Sequence, residues 1–419
     1  MNSCEGDNRA RSTADAVARR SYGKLIAYLA AQTHDVAAAE DALSEAFTSA
    51  LADWPSRGCP ANPEAWLLTV ARRKFIDMAR RQHGSDRADE DVEKIAAALG
   101  ASLPNAEIPD RRLALMFACA HPAIEFSIRA PLILQVILGL DAATIASSFL
   151  MSPAAMGKRL GRAKEKIRQA GIPFRIPERE DLPGRLDTVL DAIYAVFAEG
   201  WSDAAGTDIL RRDMTHEAFF LARMLVKLMP NEPEALGLLA LMLHAEARRR
   251  ARRNGNGEYI PLDRQDPDSW ELPMIDEAEA LLTRAGNLGV IGRYQLEAAV
   301  QSAHVHRCRT GHPNWEAVLQ IYDALFAITH SPVVAINRAL AIAEVKGGHA
   351  ALAAMPDLAA DPRLAQYQPF WAARAELLAR IGSNAEARQS YEVAIGLERD
   401  PSVRRFLEHR SALCQLARD

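Results

Sequence analysis

Asp141-Ala-Ala-Thr-Ile-Ala-Ser-Ser-Phe-Leu-Met-Ser-Pro-Ala-Ala-Met-Gly-Lys-Arg-Leu-Gly-Arg-Ala-Lys-Glu-Lys-Ile-Arg168 contains two helix starts in close succession. Asp141 is suited to cap a short helix over Ala142–Phe149, and Ser152 brings a second hydroxyl acceptor, followed by Pro153 with its preset φ at the first helical position. From there Met156, Leu160, Ala163 and Ile167 recur at i, i+4, i+7 and i+11, one apolar stripe that must face a core. Lys158, Arg159, Arg162 and Lys166 fall on the opposite side, with Lys164 and Arg168 on its flanks and Glu165 as the single acid. A short helix, a tight turn and a longer helix with an apolar inner and a basic outer face is the pattern of a helix-turn-helix, whose second helix enters a DNA major groove. A basic, solvated face on an ordinary helical hairpin has the same local pattern.

A second basic helix is expected upstream, in Asn62-Pro-Glu-Ala-Trp-Leu-Leu-Thr-Val-Ala-Arg-Arg-Lys-Phe-Ile-Asp-Met-Ala-Arg-Arg81. Leu67, Ala71, Phe75 and Met78 make its buried stripe. Arg73 and Arg80, and likewise Lys74 and Arg81, are two turns apart and share a side. Before it lies Trp54-Pro-Ser-Arg-Gly-Cys-Pro-Ala-Asn62, read as a loop over residues 55–64 between Trp54 and Trp66. Cations for phosphates beside aromatics for an unpaired base suit single-stranded DNA, although tryptophans at this spacing also serve as core.

Across all 419 residues, apolar positions recur with helical spacing and period-two β runs are nearly absent, so the expected fold is all-α. Only Gly255–Asp266 reads as irregular or hairpin-like. The formal charge of −4 hides an asymmetry: residues 1–175 carry 23 basic against 20 acidic side chains, and 176–419 carry 27 against 34. The basic excess sits where the two cationic helices are. Breakers divide the chain into residues 1–82, an acidic connector 83–109, a block 110–175, and a helical array 183–419, with Ile172-Pro-Phe-Arg-Ile-Pro177 as the last boundary. No long apolar run and no hydrophobic leader are seen, which points to the cytoplasm and away from a membrane. The five cysteines stand singly, and neither they nor His121, His304 and His306 make a metal pattern. Phosphate-cradle and common hydrolase motifs are missing, so neither a cofactor nor an enzymatic activity is expected.

Together the segments resemble the extracytoplasmic-function class of RNA polymerase sigma factors. Residues Ala37–Phe47 are similar to that family's polymerase-binding helix, Ala65–Asp77 to its −10 reading helix, and Ile145–Ile167 to its −35 helix-turn-helix. The resemblance implies core polymerase contacts at Asp41, Leu43, Glu45, Ala46 and Phe47. It implies −10 contacts at Asn62, Trp66, Arg72, Arg73, Lys74, Arg80 and Arg81. For the −35 element it implies Ala154, Ala155, Lys158, Arg159, Arg162 and Lys166, with Lys164, Lys166 and Arg168 holding phosphates. Arg73 departs from the family, whose short members often have asparagine there. The connector, with Asp86, Asp89, Glu90, Asp91 and Glu93, would thread the polymerase between the two promoter contacts.

Short members end soon after the helix-turn-helix. The closer resemblance is to a long subgroup with a C-terminal extension, on Leu113–Pro122, Gly171–Phe174, Phe197–Gly200, Leu239–Leu243, Ser331–Arg338 and Asp361–Leu364. Trp371, Ala375, Leu378, Gly382, Ala387, Tyr391 and Ala394 approach tetratricopeptide spacing. Stacked helix pairs of that kind form a solenoid whose concave side is expected to take a regulatory protein or ligand. The arginines of Arg248–Arg253 are read as a solvated helix end. Two other readings stay open: a one-component regulator with a helical sensor domain, and a repeat scaffold that makes protein contacts only.

Overall fold

The computed structural model describes residues 2–82, 110–148, 151–178, 180–201, 209–357 and 361–416. Among them the protein is all-α, with one isolated antiparallel bridge between Arg253 and Tyr259. They fall into two compact units, Met1–Gly200 with Ile209–Met224, and Trp201–Asp208 with Leu225–Asp419.

The first unit begins with α1 (Asn2–Thr33), α2 (Val36–Arg57) and α3 (Pro63–Gln82), which pack on one another. Its core is aliphatic and small: Leu25, Ile26 and Leu29 of α1 meet Ala39, Leu43 and Ala46 of α2 and Leu67, Leu68 and Ala71 of α3, all at 1% exposure or less. The Asp35 carboxylate accepts from the Ala38 amide and starts α2, satisfying a donor that the helix itself cannot. Residues 55–57, expected in a loop, instead continue α2 through Pro55, and the loop contracts to Gly58–Asn62. Proline leaves the Leu51 carbonyl without its helical donor, and Leu51 is exposed, so water can meet that oxygen.

Next come α4 (Arg112–Cys119), α5 (Phe126–Leu138), α6 (Ala142–Ser148), α7 (Pro153–Gln169), α8 (Pro183–Trp201) and α9 (Ile209–Leu228). The expected first helix of the helix-turn-helix is present as α6; its last expected residue, Phe149, and the connector at 83–109 lie outside the described residues. Helix α1 packs on α4 and α5, and α2 packs on α7. The α1–α5 approach requires Gly23, since a Cβ there would sit 2.2 Å from the Ile137 carbonyl oxygen. Every residue of α4 is buried, Arg112 included. Arg112 pairs with Asp110 at 2.5 Å and with Glu217 of α9, and lies 4.3 Å from the Phe220 ring centroid. Burial opposes charge on both Asp110 and Arg112, but their mutual hydrogen bonds override it, holding the acid below and the base above its ordinary value. For Glu217 burial prevails, and its pKa is raised. Helix α8 and most of α9, expected from the sequence with the C-terminal array, therefore cluster with the first unit.

The second unit contains α10 (Pro233–Ala247), α11 (Leu272–Gly286), α12 (Arg293–Thr310), α13 (Trp315–Thr329), α14 (Pro332–Lys346), α15 (Gly348–Ala353), α16 (Gln368–Arg380), α17 (Asn384–Leu397) and α18 (Pro401–Leu416). Helices consecutive in the chain pack as neighbours over most of this array. Gly237 lets α10 meet α12, because a Cβ would lie 2.6 Å from the Gln295 amide nitrogen. One turn away the Glu234 carboxylate caps α12, accepting from the amides of Tyr294 at 2.9 Å and Gln295 at 3.1 Å. Ala375, Leu378, Ala387, Tyr391 and Ala394, singled out by spacing, form one buried cluster with Leu407 and Cys414.

The arginine run is not a solvated helix end. Arg248 is buried, Arg249 pairs with Glu246 at 2.8 Å, and Arg252 lies 3.7 Å from the Trp201 ring centroid and donates to the Trp201 carbonyl. Arg253 reaches Asp400 at 2.5 Å, and only Arg250, 83% exposed at its side chain, fits the expectation. Arg249 has a local i,i+3 partner, but those of Arg252 and Arg253 lie 51 and 147 positions away, where spacing gives no sign of them.

Candidate nucleic-acid interface

Helix α7 starts as its sequence dictates: the Ser152 hydroxyl accepts from the Ala155 amide at 3.3 Å, with Pro153 in the first turn. Met156, Leu160, Ala163 and Ile167 are buried, and this fixes which side faces out. Ala154, Lys158, Arg162 and Lys166 are exposed, while Ala155 and Arg159 are half-buried. These six residues border a groove of 770 Å³, whose other wall is Ala123–Ile128. The Arg159 guanidinium donates to the Glu125 carboxylate at 2.6 Å and to the Ser127 hydroxyl. The Ser127 hydroxyl donates to Glu125 as well, and this bond with the nearby Arg159 charge holds that carboxyl below its usual range. Of the cations on this face, Arg159 therefore already has an acidic partner that a phosphate would have to replace.

Lys164 and Arg168 point elsewhere. Lys164, 11% exposed, is paired with Glu40 of α2, 15% exposed. Burial raises the Glu40 pKa against the pull of the lysine. Arg168 pairs with Glu165 at 2.5 Å and lies 4.0 Å from Asp35. With Lys164 turned to α2, the phosphate role expected of it has no exposed group here.

Around α3 the structure sorts the expected −10 residues by environment. Arg73 is exposed. Arg72 is half-buried, donates to the Tyr28 hydroxyl at 2.8 Å and lies over that ring, which ties α3 to α1. Lys74 pairs with Glu45 at 3.3 Å. Asn62 is exposed and caps α3 through the Ala65 amide at 3.0 Å. Trp54 is core at 2% exposure, and the half-buried Trp66 meets its ring edge-on at 5.4 Å. The side chains of Arg80 and Arg81 lie outside the described residues.

On α2 the polymerase-facing expectation needs correction at two positions. Leu43 and Ala46 are fully buried against α1 and α3, so no partner can touch them without unfolding the unit. Asp41 and Glu45 are exposed and Phe47 is half-buried. The family-like segment thus mixes core and surface positions, and helical periodicity around Ala39, Leu43, Ala46 and Ala50 would have separated them. Glu125, which spacing along α7 could not point to, contacts the cationic face of that helix through Arg159 from the residue just before α5.

Among the described residues no helix is long and apolar enough to cross a membrane. Residues 17–84 match the family described as sigma-70 region 2, a non-enzymatic transcription-factor domain, and residues 185–286 match a family of unknown function, DUF6596. An uncharacterized protein of Rhizobium meliloti (strain 1021) is 38% identical over 383 residues, covering 89% of this chain and 90% of that protein. No solved structure matches. On that identity and coverage, the chain belongs to the family of the Rhizobium meliloti protein, and at its N-terminus it carries a sigma-70 region 2 domain.

Proposed function

We propose that the chain is a cytoplasmic sigma factor of the extracytoplasmic-function type, which joins core RNA polymerase and directs promoter-specific transcription initiation. The carrying observation is the presence in one unit of a sigma-70 region 2 segment, a domain type that binds core polymerase, and of a separate helix α7 with Lys158, Arg162 and Lys166 exposed. In this reading Asp41, Glu45 and Phe47 meet polymerase, and Arg73 with Lys74, Arg80 and Arg81 holds the −10 element. Ala154, Ala155, Lys158, Arg159, Arg162 and Lys166 read the −35 element in the major groove. The segment 83–109 joins the two promoter-reading modules. The array beyond α9 is a tetratricopeptide-like solenoid for regulation or partner binding, supported by a groove lined mainly by α12, α14, α16 and α18, with Trp315 of α13 and Tyr391 of α17.

The arrangement of the first unit adds a requirement. Helices α3 and α7 both pack on α2. Elements centred near −10 and −35 are separated by about 25 base pairs, roughly 85 Å of B-form duplex at 3.4 Å per step. Two helices resting on one neighbour cannot read both, so in this mechanism α7 leaves α2 when promoter and polymerase are engaged.

Purified chain added to core polymerase is expected to give a specific transcript from the promoter of its own operon. No such transcript, with or without added partners, ends this reading. Tight binding to duplex without polymerase would instead favour the one-component regulator. Within the same assay series, Arg162→Ala is expected to weaken −35 duplex binding and to reduce the slope of log K against log salt by roughly one. An unchanged slope removes Arg162 from the phosphate contacts.

A further inference from the structure

The second unit holds an open groove of 940 Å³ lined by α12, α14, α16 and α18, by Trp315 at the start of α13, by Tyr391 of α17 and by residues of the 259–264 segment. Trp315, Leu340, Tyr391 and Phe406 give it an apolar and aromatic lining. Its charges fall into two groups of different character. In the first, Glu376 accepts from the Tyr391 hydroxyl at 3.1 Å, from Arg410, and from Arg380 at 3.4 Å, and Arg380 also holds Glu344 at 2.6 Å. Two carboxylates and two guanidiniums satisfy each other there.

The second group is left unsatisfied. Arg307 stacks on Trp315, 4.0 Å from the ring centroid, and its Nη1 is buried without a hydrogen-bond partner among the described residues. His304 Nδ1 is buried and unmet in the same way, and burial with the Arg307 and Arg248 charges pushes its pKa down to about 4. Arg264 is exposed at the rim with Asp263 as the neighbouring acid, and the exposed Asn337 carboxamide of α14 borders the same space. An unmet buried donor is costly, more so when charged, and calls for an acceptor from water, an ion or a bound partner. A carboxylate is the group that fits, since it accepts two bonds from one guanidinium. The Asn337 carboxamide can both donate and accept, as pairing with an extended peptide backbone requires. With Glu344 and Glu376 neutralised by Arg380 and Arg410, the groove is left with Arg307 and Arg264 against Asp263, a balance that favours an acidic occupant.

We propose that this groove binds an extended acidic peptide segment of a partner protein, with a side-chain or terminal carboxylate seated on Arg307 and Arg264 and an apolar neighbour laid on Trp315 and Phe406. The proposal rests on reading the array as a partner-binding surface and is independent of promoter recognition. Its test is fluorescence anisotropy of the full-length chain with two labelled decapeptide pools of Leu, Ala and Phe. One pool carries Asp or Glu at alternate positions, and its twin carries Asn or Gln. The acidic pool is expected to bind at least about tenfold more tightly, as one charge-assisted hydrogen bond provides. Arg264→Gln, at an exposed position, and Arg307→Gln are each expected to weaken it, whereas Arg250→Gln, outside the groove, leaves it unchanged. Equal binding of the two pools, no binding up to millimolar peptide, or indifference to both groove substitutions overturns the proposal. So does displacement at equal concentration by glutarate or by a single-stranded decanucleotide, which would assign the groove to small carboxylates or to nucleic acid. None of these readouts involves polymerase or promoter, so a failed transcription assay leaves them standing.

Discussion

Lys164→Glu is expected to destabilise the first unit by about 3–5 kcal/mol, the cost of a buried ion pair turned into an unpaired charge. The substitution sets two carboxylates against each other at the α2–α7 contact, where Glu40 and Lys164 are both largely buried. Urea denaturation of the full-length chain checks it, with the transition of the first unit moving to lower denaturant while that of the second holds. Exchanging the pair, as Glu40→Lys with Lys164→Glu, should recover most of the loss. A single mutant as stable as the parent, or an exchange that recovers nothing, would mean that the pair does not hold α7 to α2. A third variant separates attraction from specificity. Because burial raises the Glu40 pKa, the folded unit binds a proton there more readily than the unfolded chain does, so its stability falls as pH rises from the unfolded pKa through the folded one. The ionised pair is therefore a weak stabiliser at neutral pH, and Glu40→Leu with Lys164→Met is expected to match or exceed the parent. The same double change should reduce promoter-dependent transcription if α7 must leave α2 to read DNA, since an apolar contact gives no charged groups back to water on opening.

Ending the chain after residue 180 is expected to abolish cooperative folding of the first unit, and ending it after Leu228 to preserve it. The shorter chain loses α8 and α9, which bring Val189, Leu190, Ile193, Phe197, Leu221 and Ala222 to the unit at 2% exposure or less. It also strips Arg112 of Glu217 and Phe220, leaving a guanidinium on a wholly buried helix with Asp110 as its described partner. Each buried aliphatic or aromatic side chain contributes about 1.5–3 kcal/mol, and unfolding a whole domain takes only about 5–15 kcal/mol. Calorimetry on the two shortened chains checks the expectation; equal, sharp transitions would show that α8 and α9 are dispensable to the unit. The practical consequence concerns activity tests of the extension: a cut shortly after α7 would report unfolding as though it were regulation.

Much of this architecture could be read from local pattern. The stripe Met156, Leu160, Ala163 and Ile167 is buried as its spacing requires, and Ser152 caps where a serine before Pro153 should. The tail positions Ala375, Leu378, Ala387, Tyr391 and Ala394 are likewise core. Both are repeats within one or two helices, where sequence distance and spatial distance agree. The remainder depends on pairs distant in sequence. Lys164 sits on the flank of a cationic face, and nothing near it signals that a carboxylate 124 positions earlier will claim it. Arg112 finds its second acid, Glu217, 105 positions later, and Leu43 and Ala46 lie on the inner side of a family-like segment whose two sides only helical periodicity separates. The expected site residues therefore divide by environment, with exposed cations on α7 and α3 and internal ties such as Arg72 among them.

The Arg253–Asp400 pair bears on how the second unit melts. Helix-pair arrays usually couple only nearest neighbours, so their ends fray and their middles persist. Here one ion pair spans 147 positions, and the Tyr259 ring meets Phe406 of the last helix at 5.4 Å beside it. A stitch from near the first helix of the unit to its last makes a loop of a line, so fraying at either end must first break this contact. The array is therefore expected to melt more cooperatively than an open stack of helix pairs, through a closure that can form only once the C-terminal helix is in place.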